Sequence, residues 1–208
     1  MSTLIFKINK LKKENISGVI NNRVKEFINF KRTNNNLFLE LSFCVLTANY
    51  NAAKAIEIQK KIGLGFISLS LNQLSSKLKE LGYRYPNLRA EYIVYNRQFL
   101  YKLKAILEAF RDKNDLRDFF AENIKGLSYK ESSHFLRNIG YAKYAIIDFH
   151  IIDLLIKEGY LKEKPKTLDR LTYLEIERIL EGIAKEVNLS LSELDLYLWY
   201  LETGTVLK

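Results

Sequence analysis

The chain has 208 residues, 48% of them apolar, and a formal net charge of +9. That length holds one sizeable domain or two small packed lobes, with enough apolar residues to fill a core. Two prolines and sparse glycine argue against a turn-rich β-sandwich or barrel, and a single cysteine excludes an internal disulfide and any four-cysteine zinc or iron–sulfur site.

A helical period of apolar residues recurs almost throughout. Val19 to Lys31 places Val19, Ile20, Val24, Phe27 and Ile28 on one face. Asn36 to Thr47 is more apolar and reads as a buried helix, with Cys44 as a small core residue. Ala52 to Ile62 is amphipathic and is ended by Gly63 and Gly65, and Leu71 to Leu81 is a further short helix. Gly82-Tyr83-Arg84-Tyr85-Pro86 is a loop, followed by one long helix from about Leu88 to Ala109. Leu116 to Ile124 and Tyr129 to Ile139 are helices separated by a glycine turn, and Phe149 to Ile156 starts behind Asp148. Lys157 to Leu168 is mostly loop, and Leu171 to Val187 and Leu191 to Leu201 complete the chain. No period-two alternation, internal repeat or low-complexity tract is present, so the expected class is all-α. Lobe boundaries are expected at Pro165 and near Gly63.

The basic residues are scattered rather than gathered in a tail. A basic folded domain either meets a polyanion or carries a merely solubilising surface. No run of about 18 apolar residues and no signal-peptide core is seen, so no membrane partner and a cytoplasmic location are expected.

The stretch that carries chemistry is Ile124-Lys125-Gly126-Leu127-Ser128-Tyr129-Lys130-Glu131-Ser132-Ser133-His134-Phe135-Leu136-Arg137-Asn138-Ile139-Gly140. It reads as helix, tight glycine turn, helix and C-cap glycine. Such a hairpin exposes backbone N–H groups at a helix N-terminus, where they and the helix dipole hold a phosphate without reading sequence. Lys130 lies in the first turn, where the dipole disfavours a charged amine and a neutral one is a nucleophile. Asp148 follows in Ala145-Ile146-Ile147-Asp148-Phe149-His150. About ten helical residues carry the chain about 15 Å from Lys130. Gly140 turns it, and the next eight or so residues can bring Asp148 back to face the amine. Alone, Lys130 reads as a solvated surface lysine and Asp148 as a plain N-cap. Together, on a glycine hairpin in a basic helical chain, they are far more specific.

Gly126-Leu127-Ser128-Tyr129-Lys130 followed by Ile147-Asp148-Phe149-His150 resembles the active-site signature of the helix-hairpin-helix DNA glycosylases. Tyr129 to Gly140, Leu39 to Asn49, Arg89 to Val94 and Leu194 to Gly204 resemble the small archaeal-type 8-oxoguanine glycosylase/lyases, so the likeness runs from about residue 20 to the end. Two positions depart from the superfamily pattern. Ser128 stands where a second hairpin glycine is common, and Ile146 where glycine or proline often precedes the aspartate.

The resemblance implies a two-lobed helical glycosylase fold with the active site between the lobes, spanning 1–208 as one unit with its hairpin at 118–140. It implies a monomer that removes 8-oxoguanine from double-stranded DNA without metal or organic cofactor. Lys130 attacks C1′ of a flipped nucleoside, a Schiff base permits β-elimination, and Asp148 stabilises the cationic sugar. Lys208, Trp199 and Asn49 are the expected substrate contacts. Gly126, Ser128, Arg84 and Tyr85 are the expected DNA contacts, the last two in a wedge loop Tyr83-Arg84-Tyr85. Against these stand a frayed terminus for Lys208, core packing for Trp199, helix capping for Asn49 and an ordinary turn for the loop. His134 and His150 are expected to be structural. The alternatives are a glycosylase for another damaged base and a non-catalytic helix-hairpin-helix DNA-binding module.

Overall fold

The computed structural model describes residues 3–208, and all regular structure among them is helical, with no strand. None of the described helices is long and apolar enough to cross a membrane. The chain divides into two compact units, one made of the stretch up to Phe30 with Leu136–Lys208, the other of Lys31–Phe135. Neither boundary falls at Gly63 or Pro165. Glycine and proline mark where local structure ends, whereas a unit boundary depends on which faces pack.

In the second unit, α3 (Asn34–Thr47) is the centre. Thr33 caps it, its hydroxyl accepting the Asn36 N–H, and Leu37, Phe38, Leu41, Phe43, Val45 and Leu46 are all fully buried. A helix apolar on every side is stable only when packed all round. The helices packed most extensively on it are α4 (Ala52–Ile62), the single turn α5 (Gly65–Ser68), α7 (Pro86–Asn96) and α8 (Leu103–Ala109). Between them α6 (Leu71–Glu80) starts on a Ser70/Gln73 capping box and packs on α7.

The long helix expected over Leu88 to Ala109 is broken. It becomes α7, a 3-10 turn at Arg97–Phe99, and α8. Two asparagines explain the break. Asn96, fully buried at the end of α7, exchanges two hydrogen bonds with the Lys125 backbone, at 2.9 and 3.0 Å. Asn34, on α3, accepts the Lys104 N–H at the start of α8 and donates to the Tyr101 carbonyl. The period of apolar residues continues across the gap, but the backbone polar groups are satisfied from elsewhere.

In the first unit, α13 (Leu191–Thr203) is the centre. It contacts α1 (Thr3–Leu11), α2 (Ile16–Ile28), α11 (Phe149–Lys157) and α12 (Arg170–Glu186). The helix α1 has no counterpart in the sequence reading, being short and without a capping signal. It buries Leu4, Ile5, Ile8 and Leu11.

Candidate active site

The hairpin consists of α9 (Lys113–Asn123), a five-residue turn and α10 (Tyr129–Asn138). Asp112 caps α9 by accepting from Asn114 and Asp115 N–H, so that helix starts before the expected Leu116. Its helices are braced to each other. The Arg117 guanidinium, fully buried, donates to the Ser133 hydroxyl, and the Tyr129 hydroxyl bonds Asp118 at 2.9 Å. Phe120 and Phe135 pack with ring centroids 4.9 Å apart. Beyond Asn138, the Gly140 N–H reaches Arg137 and the Tyr141 N–H reaches Leu136, a Schellman closure with Gly140 at φ +98°.

Gly126 carries the turn at φ +88°. A Cβ there would lie 2.7 Å from the Tyr92 ring and 3.2 Å from Val45, so this position admits glycine for shape as well as for backbone freedom. Ser128 needs no such freedom, because its φ is not in the left-handed region. It is the N-cap of α10, its carbonyl accepting the Ser132 N–H. That is the physical reason a serine replaces the second hairpin glycine.

Ser128 also alters the expected phosphate cradle. Its N–H is not an open donor but bonds Glu131 Oε2 at 3.2 Å, and its hydroxyl donates to the same oxygen. Glu131 is buried. Lys130, half-buried beside it, has Nζ 3.6 Å from Glu131 Oε1. Adjacent helical side chains normally diverge. These two meet because Glu131 folds back over the helix N-terminus.

Asp148 lies at the N-cap of α11 with extended backbone, and its Oδ1 accepts the Ile151 N–H at 3.0 Å. The residues before it are buried and held from α12. Glu177 accepts the Ala145 N–H at 3.0 Å, while the Tyr173 hydroxyl donates to the Ala145 carbonyl at 2.8 Å and accepts the Ile147 N–H at 3.1 Å. Ile146, in place of glycine or proline, is buried in this extended segment. Tyr173, Glu177, Asn96 and Glu131 were not singled out from sequence. Only the capping-box spacing of Ser128 and Glu131 offered a signal.

The remaining residues divide. Arg84 is exposed with its guanidinium 5.0 Å above the half-buried Tyr85 ring. Tyr83 is not available as a wedge. It is 4% exposed, packs on Tyr50 at 4.4 Å and donates to the Leu46 carbonyl at 2.8 Å. Asn49 is exposed at φ +57°, just past the end of α3, which is the conformation of a helix stop. Trp199 is half-buried and meets the exposed His150 edge-on at 6.3 Å. Its Nε1–H is buried and has no acceptor among the described residues. Lys208 is partly buried in the tail that follows Gly204. His134 is buried against Phe43, its ring edge-on at 5.6 Å. Among the described residues, no group of three or more His, Cys, Asp or Glu side chains is placed to hold a metal ion.

The family model described as 8-oxoguanine DNA glycosylase matches residues 20–189. The chain is 53% identical over 206 residues to the 8-oxoguanine DNA glycosylase/AP lyase of Methanocaldococcus jannaschii, covering 99% of each. It is 49% identical to the protein of that name in Korarchaeum cryptofilum, covering 99% of this chain and 98% of that one. A crystal structure of the Methanocaldococcus jannaschii glycosylase/lyase in complex with a 15mer DNA containing 8-oxoguanine superposes with a TM-score of 0.96, at 52% identity and 99% coverage of each chain. The Thermotoga maritima 8-oxoguanine DNA glycosylase superposes at 0.93 with 42% identity, covering 99% of this chain and 98% of that one.

Proposed function

The chain belongs to the 8-oxoguanine DNA glycosylase family, and from that membership we propose that it excises 8-oxoguanine from duplex DNA with Lys130 as nucleophile and Asp148 as the supporting carboxylate. The target nucleoside leaves the base stack, because C1′ and the lesion edge are hidden within it. The Lys130 amine attacks C1′ and the bond to the base breaks, the base taking the electron pair and a proton. Opening of the sugar ring gives the Schiff base. Loss of a C2′ proton then expels the 3′ phosphate and nicks the strand. Asp148 stabilises positive charge on the sugar as the glycosidic bond breaks and assists the amine. The chain does this as a single cytoplasmic unit and a monomer.

The observation that carries the reading is the pairing of two residue types in a chain that matches named glycosylase/lyases end to end. A half-buried lysine occupies the first turn after the Gly126 hairpin, and a capping aspartate follows eighteen residues later. Gly126, Arg84 and Tyr85 are assigned to the DNA backbone and the space the lesion leaves, whereas both Ser128 donors are held by Glu131. Lys208, Trp199 and Asn49 are assigned to the base. Trp199 is half-buried, and its buried N–H has no acceptor among the described residues.

The test is borohydride trapping on a duplex with one 8-oxoguanine opposite cytosine. The native chain gives a covalent adduct, Lys130→Gln gives none, and deletion of Lys208 reduces the preference over an undamaged guanine duplex. Adduct at the native level in Lys130→Gln removes the nucleophile assignment, and unchanged preference on deletion removes the role of Lys208.

A further inference from the structure

We propose that Glu131 is a positioning residue for the Lys130 amine, with Ser128 as the clamp that holds Glu131 in place. This rests on Lys130 being the nucleophile.

Three helices begin with serine at the N-cap and a Glu or Gln three residues on: α6 with Ser70 and Gln73, α13 with Ser190 and Glu193, and α10 with Ser128 and Glu131. In α13 the arrangement is plain capping. Glu193 Oε2 accepts both the backbone N–H and the hydroxyl of Ser190, each at 2.7 Å, and Ser192 stands at the second helical position. In α6 that position is Asn72. In α10 it is Lys130.

The same cap therefore does something different in α10. Both Ser128 donors converge on Oε2, which fixes the carboxylate and leaves Oε1 facing Lys130 Nζ at 3.6 Å. Burial sharpens the effect. The Glu131 side chain is 10% exposed and that of Lys130 23%, so water competes weakly for either group. At 3.6 Å the two form an ion pair, and small rotations of the lysine's torsions bring them to hydrogen-bond distance.

A carboxylate oxygen accepts an N–H from an amine in either protonation state. When the amine is neutral, the donated N–H points at Glu131 and the lone pair points away from it. A lysine otherwise searches many rotamers, and misplacing a reacting atom by about 1 Å costs about a hundredfold in rate. Glu131 narrows that search without touching the substrate.

The test uses the full chain and kcat, KM and melting temperature together. Glu131→Gln keeps an oxygen for the two Ser128 donors, so the helix cap survives, but it turns an NH2 donor toward the amine. The expected result is a fall in kcat of about tenfold or more, with KM within about twofold and melting unchanged. Ser128→Ala keeps the backbone donor and loses the hydroxyl, so its kcat falls less. Native kcat in Glu131→Gln overturns the proposal, as does a kcat that falls only in step with melting temperature. Failure of the native chain to form a Lys130-dependent adduct sinks the nucleophile assignment instead, so the two ideas fail separately.

Discussion

Replacing Gly126 with alanine asks two things of the hairpin at once. The first is backbone strain, since a residue with a side chain must adopt φ +88°, at about 1–3 kcal/mol. The second is overpacking. The new methyl lies 2.7 Å from the Tyr92 ring, 3.2 Å from Val45 and 3.4 Å from Arg89, and forcing a methyl group into a filled space costs about 1–3 kcal/mol. Tyr92 cannot simply withdraw. Its ring lies under the Arg89 guanidinium, which is buried and donates to the Ala48 carbonyl. The sum is about 2–6 kcal/mol, which in a chain of this length lowers the melting temperature by roughly 5–20 °C. Gly182→Ala is the matched control. Gly182 lies inside α12, its Cβ would meet nothing within 4 Å, and its φ is unremarkable, so alanine there stabilises by about 0.5–1 kcal/mol. Thermal melting followed by circular dichroism reads both variants. If Gly126→Ala melts within about a degree of native while Gly182→Ala behaves as described, the shape argument for the hairpin turn is wrong.

Tyr173→Phe removes one hydroxyl that serves two buried backbone groups, the Ala145 carbonyl and the Ile147 N–H. Leaving both unsatisfied costs about 2–4 kcal/mol. Because that segment leads into Asp148, the rate of borohydride-trapped adduct falls as well; melting loss with a native adduct rate would show that the segment does not set Asp148. Stability at high pH turns on Tyr83. Burial raises its phenol pKa above 10.0, while the neighbouring Arg89 works in the other direction. The unfolded chain releases that proton near pH 10 and the folded chain holds it longer, so the stability it contributes is complete below pH 10 and is lost as pH rises further. Tyr83→Phe is less stable than native at neutral pH, through loss of the bond to Leu46, and the two melting curves converge above pH 10. Parallel curves through that range would refute the assignment.

Most helices were legible because their determinants are local. Apolar residues at helical spacing, the cap Asp148, and the Gly126 and Gly140 turns all act within about four residues of their effect. The hairpin with Lys130 and the capping role of Asp148 were readable for the same reason. What the residues alone decided is therefore the helical class, the hairpin with Lys130 on it and the capping Asp148 that follows. Packing decided the rest. A partner on α3, seventy positions before Lys104, opens the helix expected after Pro86. Asn96 ties the end of α7 to the hairpin across twenty-nine positions. Tyr173 and Glu177, some thirty positions downstream, hold the segment before Asp148. Tyr83 leaves the expected wedge because the Leu46 carbonyl needs a donor in the core. A buried polar group must find a partner, and which distant side chain supplies it depends on faces that touch only once the chain has folded.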